Sequence, residues 1–347
     1  MATEGKAIGI RLEHVYKIFG ERPEAHVDAV LKGMSKGELL EKHHHILGLR
    51  DVSIDMPAGG IQVIMGLSGS GKSTLIRHVN RLIEPTAGKV LVDGVDVVQM
   101  DEAALREYRR HSTAMVFQKF ALLPHWTVLE NVGYGLRIQG VEQGERERRS
   151  RRWIERVGLA GFEARYPNQL SGGMQQRVGL ARALAIDAPI LLMDEAFSAL
   201  DPLIRVDMQS VLLDLQKEIR KTIVFITHDL DEALRLGDMI AILRDGVVVQ
   251  QGTAQEIVRA PADDYVATFV REVNRGRVLE VGGYVRPGAV DGGPSIPADT
   301  SLEEAARILT AAGVDRAVVT DAAGRPLGVT TLEAIVAGMV TPSPRAA

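Results

Sequence analysis

Gly66-Leu-Ser-Gly-Ser-Gly-Lys72-Ser73 stands directly after the apolar run Ile61–Met65 (IQVIM) and opens a stretch of helical spacing from Lys72 to Leu82. Strand, glycine-rich loop and helix in that order fit the P-loop pattern in the context its mechanism requires. Glycines let backbone N–H groups turn inward around phosphate oxygens, and the helix N-terminus adds partial positive charge. Lys72 is then placed to reach the β and γ phosphates of ATP, and the Ser73 hydroxyl to hold Mg2+. The expected phosphate-binding set is Gly66, Leu67, Ser68, Gly69, Ser70, Gly71, Lys72, Ser73 and Thr74.

Outward from the loop, short apolar runs recur at Val90–Val92, Ala114–Phe117, Ile190–Met193, Ile223–Ile226 and Met239–Leu243, several separated by helical stretches such as Leu203–Arg220. Such alternation argues for an α/β fold with a largely parallel sheet covered by helices. Between Val128 and Ala185 helical patterns replace strands, which suggests an all-helical insertion. After about Arg275, Gly282-Gly283, Pro287, Gly292-Gly293-Pro294 and Pro297 crowd together, so the boundary falls there: 1–275 as one domain, 276–347 as linker and a second. No internal repeat stands out, which argues against a solenoid.

At 347 residues the chain exceeds what one core usually serves, and 46% hydrophobic with 25% charged residues is globular composition. A net charge of −4 offers no global field for nucleic acid, so none is expected as a partner. The absence of cysteine removes disulfides and thiolate metal sites and fits a reducing compartment. The N-terminus lacks the apolar stretch of a secretory signal, and the apolar runs are strand-sized, so any membrane role has to come through a partner.

Ile190-Leu-Leu-Met-Asp194-Glu195 supplies the second half of a nucleotide site. Four apolar residues bury the strand; Asp194 at its end can support Mg2+ through water, and Glu195 is placed to act as general base on the attacking water.

Leu170-Ser171-Gly172-Gly173-Met174-Gln175-Gln176-Arg177 resembles the signature of the ATP-binding-cassette (ABC) family, and the resemblance runs from about Ile10 to Arg271. Ser171 and the Gly172 and Gly173 amides, at the N-terminus of a helix running to Ala185, make a second anion site. The first site has its own P-loop, so this one must serve another nucleotide. The resemblance assigns it, with Gln175, to the partner subunit's ATP in a head-to-tail homodimer. It also implies that Gln118 touches Mg2+ and the attacking water while sensing a permease, that Asp201 links the two sites, that His228 contacts the γ-phosphate and orients Glu195, and that Phe19 stacks on adenine. The implied fold is a P-loop ABC ATPase core with antiparallel β and helical subdomains, the helical one at about 119–185.

The stretch between Phe19 and Ile61, including Leu31-Lys-Gly-Met-Ser-Lys-Gly-Glu-Leu-Leu-Glu41, is longer than in a minimal cassette. With Asn80-Arg-Leu-Ile-Glu-Pro85 and Asp194-Glu-Ala-Phe-Ser-Ala-Leu-Asp-Pro-Leu-Ile204 it resembles ATPase subunits of glycine betaine, proline and choline importers. That implies a peripheral subunit on the cytoplasmic face of the plasma membrane, a separate permease and, indirectly, a substrate-binding protein. Phe120-Ala-Leu-Leu-Pro-His-Trp126 reads as a groove for a permease helix or as buried core. A soluble ABC ATPase of DNA repair or translation would share every nucleotide residue; one cassette, no coiled-coil insertion and no dominant basic surface favour transport. A histidine importer stays open.

His43-His44-His45 admits a metal reading, but three adjacent histidines cannot all face one ion in a regular element. Arg146-Glu-Arg-Arg-Ser-Arg-Arg152 reads as a solvated helix face. From about Tyr284 to Val340 the chain resembles one CBS repeat, a small α+β domain patterned helix, strand, turn, strand, helix. That family commonly carries Asp where Ala334 stands, and its absence removes two acceptors for a ribose diol.

Overall fold

The computed structural model describes residues 7–118, 121–198, 200–288 and 293–340; Phe120 of the expected permease groove, Ala199 of Ser-Ala-Leu-Asp, Gly292 of the linker and residues 341–347 of the tail lie outside them. The chain divides into two compact units, Met1–Val248 and Val249–Ala347.

Among the described residues the first unit holds the strands β1 (Ile10–Phe19), β2 (Ile46–Met56), β3 (Ile61–Met65), β4 (Ala87–Val92), β5 (Val95–Asp96), β6 (Thr113–Val116), β7 (Ile190–Asp194), β8 (Thr222–Thr227) and β9 (Met239–Arg244), and β10 (Val247–Gly252) straddles the division. The larger sheet has the order β10-β9-β3-β8-β7-β6. Its inner pairs are parallel, β3 with β8 and β9, and β7 with β8 and β6. Strands β3, β7 and β8 are buried throughout, as their unbroken apolar runs require of a sheet covered on both faces. The smaller sheet, β2-β1-β4-β5, is antiparallel, and β2 alternates buried with exposed residues along most of its length. Leu12, Ile54 and Val90 from this sheet join Ile64, Leu192 and Ile226 from the parallel one and Leu75 and Val79 from the helix Lys72–Val79 in a single core.

That helix ends before the expected Leu82. Asn80 closes it, and the Asn80 side-chain oxygen accepts from Leu82 N at 3.2 Å, a local bond that competes with helical continuation. The stretch Val128–Ala185 forms three helices, Val128–Ile138, Gln143–Arg156 and Gly172–Ala185, around Val132, Leu136, Ile154 and Val178. The basic run lies in the middle helix, where Glu145 pairs with Arg148 and Arg149. Leu122 packs partly buried against this core.

The long stretch after Phe19 contributes the helices Val27–Leu31 and Lys36–His43, the second opened by a capping box between Ser35 and Glu38. Val30 and Leu39 pack on Tyr16, Ile18 and Leu47. His45 is buried, with its two ring nitrogens 2.6 Å from His43 O and 2.7 Å from Glu21 O.

In the second unit, β11 (Ser295–Pro297), β12 (Arg316–Thr320) and β13 (Pro326–Thr331) form a sheet in sequence order, flanked by the helices Leu302–Ala312 and Leu332–Val340. The helix, strand, turn, strand, helix pattern is present, with β11 added in parallel to β12. Prolines at 294 and 297 hide that strand in the sequence. No helix of the described residues is long and apolar enough to cross a membrane.

Candidate active site

Four neighbouring strands, in the order β3-β8-β7-β6, point their carboxyl ends the same way, and each hands its next residues to one place. After β3 comes the glycine loop, after β7 Glu195, after β8 His228, after β6 Gln118. Ligand sites of open α/β sheets lie at this edge.

The loop is shaped by glycines that nothing else can replace. At Gly71 φ is 104°, and a Cβ would lie 2.7 Å from Gly48 O; at Gly66 it would lie 2.2 Å from Leu243 O. A side chain at either place would push the loop off the neighbouring backbone. Lys72, 4% exposed, folds its ammonium onto the loop itself, 2.8 Å from Gly66 O and 3.0 Å from Leu67 O. Burial pulls its pKa below the ordinary value, against the pull of Glu195 and Asp194. Ser70 Oγ is buried without a partner among the described residues. A cradle holding a cation and an unsatisfied hydroxyl suits phosphate oxygens.

Asp194, at the end of β7, has both carboxylate oxygens engaged: Ser73 Oγ donates to Oδ1 at 2.8 Å and Arg77 Nη2 to Oδ2 at 3.3 Å. Arg77 is a residue the motifs do not mark, since its partner lies 117 positions away. Hydroxyl, carboxylate and amide oxygens from Ser73, Asp194 and Gln118 are the hard donors Mg2+ takes, alongside water and substrate phosphates. No group of three or more His, Cys, Asp or Glu among the described residues could hold a metal ion alone.

Glu195 adopts φ 47°, in the left-handed region, with its N–H bonded to Ile226 O at 3.1 Å. An extended residue here would carry the side chain on along β7; the turn swings it aside instead. Glu195 Oε2 accepts from Gln118 Nε2 at 2.7 Å and lies 3.7 Å from His228 Nδ1. Three residues drawn from three strand ends thus meet at one carboxylate oxygen, beside the phosphate loop.

The remaining candidates sit elsewhere. Ser171 caps the helix Gly172–Ala185, its Oγ accepting from Met174 N at 3.3 Å, while Gln175 Nε2 turns back to Pro167 O and Leu170 O. Asp201 stands exposed before the helix Pro202–Ile219 and makes no side-chain cap. Phe19, 37% exposed at the end of β1, carries Lys17 Nζ 5.2 Å over its ring. Arg205, beside Asp229, is another residue the motifs miss.

The family profile described as ABC transporter matches residues 49–198, and that described as CBS domain matches residues 290–340. The glycine betaine transport ATP-binding protein OpuAA of Bacillus subtilis is 52% identical over 299 residues, covering 85% of this chain and 72% of that one. ProV of Salmonella typhimurium, a glycine betaine/proline betaine transport ATP-binding protein, is 55% identical over 273 residues, 79% of this chain and 68% of its own. Among solved structures, the dimeric post-hydrolysis state of the ATP-binding cassette MJ0796 bound to ADP and Pi matches with a TM-score of 0.61 and 34% identity, covering 71% of this chain and 98% of that one.

Proposed function

The chain belongs to the ABC transporter family, among the ATP-binding proteins that include those of glycine betaine transport, and from that premise we propose that its ATP hydrolysis drives import of glycine betaine, choline, proline or a related osmoprotectant through a separate permease. The observation that carries the reading is the meeting of Gln118 and His228 on the Glu195 carboxylate beside the Lys72 loop.

Lys72 exchanges its two loop carbonyls for the β and γ phosphates of ATP, so the folded loop already holds the charge that substrate needs. Ser73 and Gln118, with Asp194 through water, would hold Mg2+, which would supply positive charge to neutralise that developing on the phosphates. Glu195 takes the proton of the water that attacks the γ-phosphorus, as the bond to the β-γ bridging oxygen breaks. Gln118 holds one of its oxygens and so orients the other, and His228 stands over the same group. Phe19 offers a partly exposed ring for adenine.

Ser171 and the Gly172 and Gly173 amides close the site of a second copy, as their helix N-terminus suits. Leu203, Ile204 and Val206 lie exposed beside Asp201, an apolar surface that such a copy would cover. The subunit works at the cytoplasmic face of the plasma membrane, its segment 121–126 against the permease, with a substrate-binding protein delivering solute. Candidate catalytic residues all precede Arg275, which leaves residues 276–347 a structural or ion-responsive role outside the hydrolysis site.

The test is to isolate the tagged full chain from native membranes with whatever permease accompanies it, and to measure ATP-dependent uptake of labelled glycine betaine, choline and proline in proteoliposomes with the binding protein. Uptake of at least one is expected. ATP hydrolysis with no co-purifying membrane protein would overturn the transport reading. Mixing Ser171→Arg with Lys72→Ala subunits tests the shared sites: each variant alone is inactive, whereas the mixture restores one intact site. A mixture as dead as its components would overturn the head-to-tail arrangement.

A further inference from the structure

His228 has a weak hold of its own. Its side chain is 56% exposed and its approach to Glu195 is 3.7 Å, so the ring's place is set by the backbone that carries it. That backbone is fastened on the far side. Asp229, the next residue, caps the helix Leu230–Leu236 by accepting from Glu232 N at 3.2 Å, and its own N–H donates to Thr227 Oγ1 at 3.0 Å.

From the helix Pro202–Ile219, Arg205 reaches in two directions. Its Nη1 donates to Asp229 Oδ2 at 3.0 Å, and its Nη2 lies 3.4 Å from Leu200 O, the carbonyl just before Asp201. One turn on, Gln209 Nε2 donates to Glu232 Oε1 at 3.0 Å while Gln209 Oε1 accepts from Arg235 Nη1 at 3.0 Å; Arg235 Nη2 donates to Ser210 Oγ at 2.9 Å. Gln209 and Glu232 are both 4% exposed. Hydrogen bonds in so dry a setting are strong, and breaking one leaves a buried group unpaired. Residues four apart on one helix thus grip the start and the middle of the other.

We propose that Arg205 is a positioning residue for His228, supported by Gln209: its guanidinium ties the backbone carrying His228 to the loop that ends at Asp201, so that a shift of one loop moves the other. The inference rests on His228 acting in hydrolysis, as proposed above. Burial of Glu232, which pushes its carboxyl pKa up, agrees with a fixed seam of neutral or paired groups between the helices.

The experiment is a double-mutant cycle in steady-state ATP hydrolysis with the full-length chain. Arg205→Met is expected to lower kcat by roughly tenfold to a hundredfold, the cost of a misplaced group, with the KM for ATP changed less than about twofold. His228→Ala is expected to lower kcat by ~10²–10³-fold. The double variant should fall within about twofold of His228→Ala alone, because two residues acting as one unit are not additive. Asp229→Asn keeps the cap oxygen and removes the charge, and should reproduce Arg205→Met. Losses that multiply in the double variant would overturn the proposal, as would wild-type kcat in Asp229→Asn, or a rise in KM matched by a lowered melting temperature in Arg205→Met. Unchanged hydrolysis in His228→Ala would instead overturn the underlying reading of that histidine.

Discussion

Gln118 Nε2 donates to Glu195 Oε2 across 2.7 Å, so the carboxylate at the end of β7 is engaged by an amide from the end of β6. An amide in place of the carboxylate keeps the volume and a hydrogen-bonding group but cannot take a proton from water. Glu195→Gln is therefore expected to bind ATP nearly as the wild type does and to hydrolyse it ~10²–10⁴-fold more slowly. Equilibrium binding of a fluorescent ATP analogue beside single-turnover hydrolysis checks this. Affinity and turnover falling together would remove Glu195 from the role of base.

What was legible in the sequence and what was not divides along range. The glycine loop, the run ending in Asp194-Glu195 and the helix headed by Ser171 each write their geometry in consecutive residues, because a strand end, a tight turn and a helix cap are local events. Arg77 and Arg205 had no such signature. Their partners, Asp194 and Asp229, lie 117 and 24 positions off, and only the parallel sheet and its covering helices bring them near. Strand β11, three residues that follow Pro294 and end on Pro297, is made by pairing with β12 rather than by its own composition. The helix from Lys72 stops at Val79 because one asparagine side chain competes with the backbone, a choice that apolar periodicity does not record.

His78 gives a stability test independent of catalysis. The ring is fully buried on the helix of the phosphate loop, one nitrogen 2.6 Å from Ile83 O and the other without a partner among the described residues, and burial pushes its pKa down to about 4. The unfolded chain, with an ordinary value near 6.5, binds the proton more readily. The neutral ring's contribution is therefore present above about pH 6.5 and lost as pH falls toward 4. Urea unfolding at pH 6.5 and pH 5 should show the wild type losing on the order of 1–2 kcal/mol more than His78→Asn, which keeps a donor near Ile83 O without the titration. Parallel losses in the two proteins would mean that the ring stays neutral in both states or finds a partner when charged.

The last prediction concerns the tail. A cleft of about 140 Å³ in the second unit is lined by Tyr284, Arg286, Arg316, Val329, Thr331 and Ala334. Thr331 Oγ1 already accepts from Ala334 N at 3.1 Å at the start of the helix Leu332–Val340, and the methyl of Ala334 offers nothing to a sugar. A ribose needs acceptors for its two hydroxyls, and among the described residues no carboxylate lines this cleft, although the guanidiniums of Arg286 and Arg316 bring positive charge to its wall. AMP at millimolar concentration is accordingly expected not to bind the tail, measured by calorimetry in the Lys72→Ala background so that the phosphate loop stays silent. Ala334→Asp supplies the two missing oxygens. Two hydrogen bonds to a charged acceptor amount to about 1.5–3 kcal/mol each before the cost of ordering, so AMP affinity should rise at least ~tenfold over the background. Tight AMP binding to the chain with Ala334 in place would show that the cleft recognises the nucleotide by its phosphate and base alone, and would undo the argument from the missing carboxylate.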